Sequence, residues 1–214
     1  MPRIVCISDT HNFHRLLRIP DGDVLIHSGD ATLNGTEEEF ADFADWFAEQ
    51  PHPYKIFIAG NHDLLFQQKP ETARLLLNNE ICYLEDSATV IEGFKVYGSP
   101  WQPRFYDWAF NLERGQEMAE KWSLIPSDVD ILITHGPPNG ILDAIARPDG
   151  LENAGCEELR AKLNILLKGS LRLHIFGHIH EGYGVEKTDK AVFINASICN
   201  AEYNPCNTPI VVEL

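Results

Sequence analysis

Positive charge is scarce in this chain: 17 Lys and Arg stand against 32 Asp and Glu in 214 residues, a net charge of −15 at pH 7. A surface that acidic repels polyanions, which excludes general DNA or RNA binding. A small anionic ligand stays allowed, because a local cation reverses the field at one spot. Long apolar runs are also missing. No stretch of about 18 apolar residues occurs, so no membrane-spanning helix and no membrane partner are expected. The N-terminus, Met1-Pro2-Arg3, enters a short apolar run that stops at Ser8. It lacks the longer apolar region and cleavage site of a signal peptide, so the expected compartment is the cytoplasm. Cysteine is sparse: Cys6, Cys82, Cys156, Cys199 and Cys206 form no CxxC pair. An odd number in that pattern argues against a disulfide framework or a zinc ribbon. Reduced, mostly buried thiols are expected, with a late Cys199–Cys206 pair left open.

What is present is an alternation of short apolar runs with helical patterns. Ile4 to Ile7 reads as a buried strand, as do Val24 to Ile26, Ile56 to Ala59, Ile131 to Ile133 and Leu173 to Phe176. Between the second and third runs Thr36 and Glu39 form a capping box. Phe40, Phe43, Ala44 and Phe47 then follow helical i, i+3, i+4, i+7 spacing, and Pro51 ends the helix. A second helix is expected from near Pro70 through Leu75 to Leu77. A third is expected from about Cys156 to Lys168, with Leu159, Leu163, Leu166 and Leu167 on one side and Gly169 as its stop. The C-terminal part reads as β, at Gly184 to Glu186, Ala191 to Ala196 and Ile210 to Val212. No repeat, low-complexity tract or linker interrupts the chain, so one α/β domain over 1–214 is expected.

The polar residues fall at the ends of the five strand runs. The first ends Ser8-Asp9-Thr10-His11, the second His27-Ser28-Gly29-Asp30 and the third Gly60-Asn61-His62-Asp63. The fourth ends Thr134-His135-Gly136 and the fifth Gly177-His178-Ile179-His180. Ligands of open α/β sheets gather beyond the carboxyl ends of strands, so five such ends bring carboxylates, imidazoles and one amide together. Oxygen and nitrogen donors without thiolate suit two hard-to-borderline divalent or trivalent metals. A carboxylate can bridge two ions about 3.5–4 Å apart. In an extended segment residues i and i+2 point the same way, so Asp9 and His11 are expected to grip one ion together, and His178 and His180 to reach one cluster. The glycines before Asp30, Asn61 and His178 allow tight turns and close backbone approach. Each motif alone is weak; all five in this order are specific.

Together these motifs resemble the calcineurin-like metallophosphoesterases, over residues 5–200. Gly98-Ser99-Pro100-Trp101-Gln102-Pro103, Trp108-Ala109-Phe110-Asn111, Thr134-His135-Gly136-Pro137-Pro138, His180-Glu181-Gly182-Tyr183-Gly184 and Asn195-Ala196-Ser197 resemble the metallophosphoesterase-domain-containing subgroup, whose members act as phosphodiesterases. The resemblance implies a four-layer α/β/β/α sandwich of two mixed sheets, with a dimetal site at the C-terminal edge of the strands. It implies that Asp9, His11 and His180 hold a first metal and Asn61, His135 and His178 a second, with Asp30 bridging both. The pair is expected to be Mn or Fe, with Zn as an alternative. A hydroxide between the ions would be the nucleophile. His62, beside Asn61, would sit over the substrate phosphate and protonate the leaving group. Two ions do create hydroxide at neutral pH and neutralise phosphate charge, and an imidazole suits proton transfer there. The expected substrate is a small, nucleotide-like phosphodiester. A phosphomonoesterase and a non-catalytic scaffold of the same fold are the alternatives, and an intact ligand set with His62 counts against the scaffold.

One departure concerns the position three residues after Asp30. Many relatives carry an Asp there that orients the catalytic histidine; this chain has Leu33, with Thr32, Asn34 or Asp63 as substitutes. Trp101, Phe105, Trp108 and Phe110 read either as an aromatic wall for a nucleobase or as a core patch. Arg104 and Arg147 read as phosphate or ribose contacts or as ordinary surface residues. His27 and His14 are candidates for supporting or lining the site; His52 and His174 read as loop and core residues.

Overall fold

A computed structural model describes residues 1–77 and 79–214. The strands in the first half are β1 Arg3–Ile7, β2 Val24–His27, β3 Tyr54–Phe57, β4 Ile81–Tyr83, β5 Ser87–Ile91, β6 Phe94–Ser99, β7 Gln102–Pro103 and β8 Asn111–Leu112. Those that follow are β9 Ile131–Thr134, β10 Ala144–Arg147, β11 Gly150–Asn153, β12 Leu173–Phe176, β13 Gly184–Lys187, β14 Val192–Asn195 and β15 Ile210–Glu213. The helices are α1 Glu37–Ala48, α2 Leu64–Gln68, α3 Pro70–Leu76, α4 Gln116–Ser123 and α5 Glu157–Leu166.

Two mixed sheets result. The first runs β15-β1-β2-β3-β4 and the second β13-β14-β12-β9-β6-β5, with only the terminal strands β15, β13 and β5 antiparallel to their neighbours. Strand alternation builds the layers. On β1, Val5 and Ile7 face the helices while Ile4 and Cys6 face the other sheet. Three apolar layers follow: α1–α3 on the first sheet, an Ile- and Val-rich layer between the sheets, and α4 and α5 on the second. This is the expected α/β/β/α sandwich. Register is tightly specified, because slipping β1 by one residue would exchange these two apolar faces and displace Asp9 as well.

Helix α1 begins as its capping box requires. Thr36 Oγ1 accepts from the Glu39 amide (3.2 Å), and Glu39 Oε2 accepts from the Thr36 amide (3.3 Å). The other Glu39 oxygen accepts from Asn12 Nδ2 at 2.9 Å, which ties the helix start to the Asp9–His11 segment. Its Phe40, Phe43 and Phe47 are fully buried; truncating one to Ala costs about 3–5 kcal/mol. Three expected elements shift slightly: the third strand starts at Tyr54, α5 spans Glu157–Leu166 with the Cys156 thiol accepting from the Leu159 amide, and Leu75 of α3 is exposed. Helices α2 and α4, the β5–β6 hairpin and the β10–β11 hairpin carry too short or too polar a pattern to be read from the sequence. Among the described residues no helix is long and apolar enough to cross a membrane.

Candidate metal centre

The parallel strands of both sheets end at one edge, where the Ser8–Ser197 bridge joins the sheets beyond β1 and β14. Asp9 and His11 follow β1, Asp30 follows β2, Asn61 follows β3, His135 follows β9, and His178 and His180 follow β12. The backbone there is not extended. Asp9, His11, Asp30 and His178 have φ of 51°, 41°, 58° and 67°, a left-handed conformation that stores roughly 1–3 kcal/mol at each residue. The i, i+2 expectation is therefore corrected in its cause. Asp9 and His11 converge because their amides donate to the Gly29 and Asp30 carbonyls. His178 and His180 diverge: His178 joins Asp30 and His135, whereas His180 joins Asp9 and His11. Close approach explains two of the glycines. A Cβ at Gly60 would overlap Asp30 Oδ1, and one at Gly177 would overlap Asp9 Oδ2.

The hydrogen bonds decide which ring nitrogens face inward. His11 Nδ1 donates to the Thr32 carbonyl (3.2 Å), His135 Nδ1 to Ser28 (3.1 Å), His180 Nδ1 to Asn200 (2.8 Å) and His62 Nδ1 to Leu33 (2.7 Å). A carbonyl only accepts, so each neutral ring presents a lone pair on Nε2. Those of His11 and His180 then face each other at 3.3 Å. His135 Nε2 faces Asn61 Oδ1 at 2.8 Å and Asp30 Oδ2 at 3.4 Å. His11 Nε2 lies 3.8 Å from Asp30 Oδ2, and His180 Nε2 lies 3.5 Å from Asp9 Oδ1. Facing acceptors repel unless a proton or cation lies between them. Among the described residues no Lys or Arg pairs with either buried carboxylate. Oxygen and imidazole donors with Asp30 at their centre therefore fit two cations.

Without cations, protons fill that role. Burial alone would raise Asp9 and Asp30, but the hydrogen bond and charge of His180 on the first, and the His135 and His62 charges on the second, hold both low. Burial depresses His11 to about 4 and His178 to about 3. At His135 burial acts the same way, yet the Asp30 charge and hydrogen bond prevail and raise it to about 9. His180 is also raised: burial opposes, and Asp9 outweighs it.

A family model for calcineurin-like phosphoesterases matches residues 2–182. The chain belongs to the calcineurin-like phosphoesterases. Metallophosphoesterase domain-containing protein 1 of Homo sapiens and that of Mus musculus are each 48% identical over 236 residues, covering 99% of this chain and 71% of theirs. A crystal structure of TT1561 of Thermus thermophilus superposes with a TM-score of 0.60 at 16% identity, covering 91% of this chain and 88% of that one, which shows the shared fold. Membership implies divalent metal ions and phosphoric ester hydrolysis.

In this phosphoesterase the seven expected ligand side chains converge in two groups, Asp9-His11-His180 and Asp30-His135-His178, with Asn61 against His135. His62 lies with His11 and Asp30 in a third group. None of the three substitutes for the missing Asp orients the His62 ring; the backbone carbonyl of Leu33 does so while its side chain points outward, 37% exposed. Asp63 does a different job. It accepts from the amides of Ala31, Thr32 and Gly60 and from Thr32 Oγ1, locking the Asp30 and Asn61 loops together.

A cavity of about 470 Å³ opens from the centre, lined by Asn61, His62 and His178 and farther out by Phe105, Ile145 and Arg147. Arg104 lines it too, ion-paired with Glu113. Trp101 corrects an expectation. Its indole donates to Asp86 (3.0 Å), packs edge-on against Phe110 and lies under Lys121, so it is not among the cavity-lining residues. Of the aromatic set, Trp108 stacks on His62 at 4.1 Å and Phe105 meets His178 edge-on at 5.6 Å, while Phe110 is core. His27 supports the centre: its Nδ1 accepts from the Gly29 amide (3.3 Å), leaving Nε2–H for Thr10 Oγ1 (2.9 Å). His14 is buried against Phe43 and Trp46 and bonds Asp42, away from the cavity. His52 bonds the Pro20 carbonyl, and His174 bonds Thr134 in the core. Ser197 belongs to the Asn195-Ala196-Ser197 motif, but its role emerges only in the fold, where it donates to Asp9 at 2.8 Å; Tyr203 is marked by nothing in its local sequence.

Proposed function

We propose that this phosphoesterase hydrolyses small, nucleotide-like phosphodiesters, with Asp9, His11 and His180 holding one ion, Asn61, His135 and His178 a second, and Asp30 both. Ions bound there supply Lewis acidity and acidify a water, chemistry open to manganese, iron or zinc. The carrying observation is the set of Nε2 lone pairs and buried carboxylate oxygens converging beside a half-apolar cavity. His62, as the imidazolium, would protonate the departing oxygen: Leu33 holds its Nδ1–H, Trp108 holds its face, and Nε2–H is left toward the substrate. Asn61 contacts both ion and substrate. The diester preference rests on charge. Arg104, Arg114 and Arg147 line the cavity, but each is paired with an acid, Glu113, Glu157 and Glu152. Among the described cavity-lining residues no uncommitted Lys or Arg is left for the second charge of a monoester, and a diester carries one charge. Phe105, Ile145 and Pro137 offer the leaving group an apolar wall. The five cysteines, all free, support a cytoplasmic setting, and β15 closing on β1 supports a single domain.

The test is kcat/KM for a 2′,3′-cyclic nucleotide, a nucleoside monophosphate and nitrophenyl mono- and diesters, in wild type and His62→Ala. His62→Ala keeps two metals and loses about 10²–10⁴-fold in rate, most for the ribose leaving group, which needs a proton. Metal loss in that variant makes His62 a ligand. A wild type faster on the monoester than on every diester ends the diester reading.

A further inference from the structure

The segment 198–207 crosses the mouth of the centre as a tight turn. Asn200 organises it: its side-chain oxygen accepts from the amides of Glu202 (3.1 Å) and Asn204 (2.9 Å), and its carbonyl accepts from the Tyr203 amide (2.9 Å). That same carbonyl holds His180 Nδ1 at 2.8 Å. The Cys199–Pro205 bridge and the Asn207 Nδ2 bond to the Ser197 carbonyl (2.9 Å) anchor the turn at its base. The turn that fixes one imidazole thus also aims a phenol. Tyr203 sits at its tip with φ of 59°, an outlying conformation for a bulky aromatic residue.

The ring lies over the centre, 4.8 Å from the His11 ring and 5.1 Å from that of His180. The side chain lines the cavity yet the residue stays 40% exposed, so it stands at the boundary between the centre and solvent. Among the described residues its hydroxyl has one hydrogen-bond partner, His62 Nε2 at 3.4 Å. His62 already spends its Nδ1–H on Leu33, so in the neutral ring the phenol is the donor. That contact is long, and a phenol hydrogen rotates freely about its C–O bond. An oxygen placed between the two residues would receive it.

We propose that Tyr203 is a substrate-contacting residue, whose phenol donates a hydrogen bond to a non-bridging oxygen of the bound phosphoryl group while its ring shields the Asp9-His11-His180 side from water. This rests on the phosphoesterase reading above for its substrate. A phosphoryl oxygen is an acceptor only, matching the one hydrogen the phenol offers. In a cavity whose arginines are all paired, such a neutral donor would add a directional contact to the charge that bound ions supply.

The test uses full-length, manganese-loaded protein and inorganic phosphate as probe. Tyr203→Phe keeps the ring and removes the donor. We expect unchanged metal content, phosphate affinity by calorimetry weakened about 10- to 100-fold, and a kcat/KM loss of similar size. The same substitution in a His62→Ala background separates contact from positioning. A loss of phosphate affinity that persists there supports the contact; one that vanishes there makes Tyr203 a positioning residue for His62 and overturns the proposal. Equal phosphate affinity in wild type and Tyr203→Phe, or no phosphate binding by either, also overturns it. A wild type that hydrolyses no ester but binds phosphate in a Tyr203-dependent way keeps this proposal and ends the hydrolase reading. An active enzyme indifferent to Tyr203→Phe does the reverse.

Discussion

The two sides of the candidate metal centre are built to different tolerances. On the Asp9-His11-His180 side every group is tied from behind. Asp9 accepts from the His178 amide and from Ser197 Oγ, and both imidazoles donate Nδ1–H to backbone carbonyls. On the other side His135 is tied to Ser28, but His178 makes no ring hydrogen bond among the described residues and is oriented by ring contacts with His135 and Phe105. Outer hydrogen bonds fix a ligand's tautomer and raise its basicity. The first side is therefore preorganised, and the second depends more on the ion that enters it. A chelator should strip the His178 side first.

Removing what the two sides share erases the difference and carries the largest effect. Asp30→Asn keeps the volume of a 2% exposed side chain but discards the charge between His11 and His135. Activity should fall by on the order of 10² or more, with at least one ion lost; elemental analysis beside kcat/KM reads it, and a fully active, two-metal variant would disprove the bridge. His178→Gly sharpens the contrast. At φ 67° glycine costs no backbone strain, so the change isolates the imidazole. Changes one shell out cost about 10–100-fold, and loss of a ligand should cost at least that, confined to one ion. Equal weakening of both ions would show that the sides are not independent.

Ser197→Ala probes the tied side more gently. Asp9 loses its 2.8 Å hydroxyl donor but keeps the His178 amide. Affinity for the ion there should weaken about 10-fold, at the low end of such effects, and chelator resistance should converge on that of the other side; unchanged release order would count against the account. The smallest effect is on pH. In metal-free protein His135 is raised to about 9 from an ordinary value of 6.5. A raised folded-state value stabilises fully below the unfolded value, and that stabilisation is lost as pH climbs through the folded one. Metal-free Tm should fall between pH 6.5 and 9, and metal uptake near pH 8 should release a proton. A Tm rising across that window would place the proton elsewhere.

Legibility differs along the same divide. The convergence of the candidate donor residues is readable because each follows an apolar strand run, and strand C-termini collect at one edge in any parallel sheet. Helix α1 was readable because Thr36, Glu39 and the Phe spacing agree with each other. What failed was reasoning by local geometry. The i, i+2 rule assumed extended backbone where Asp9, His11 and His178 adopt positive φ, with the Asp9 and His11 amides donating to the Gly29 and Asp30 carbonyls and the His178 amide to the Asp9 carboxylate. Residue type leaves Trp101 open between cavity wall and core patch, and contacts with Asp86 and Lys121 hold it away from the cavity.

Residue type and spacing carry the donor chemistry, the order in which donors arrive, and the period-2 and period-3.6 patterns that force two sheets and two helical layers to cover each other. Burial of apolar surface acts on those patterns directly. Packing of the two sheets sets which nitrogen of each histidine faces inward, makes Leu33 serve through its carbonyl, brings Ser197 to Asp9, and hangs Tyr203 over the site. Each of these depends on a backbone group or side chain brought from another strand end, 188 positions away for Ser197 and Asp9. No local pattern encodes such a partner, because a carbonyl is the same on every residue and only the packed sheets determine which one a ring meets.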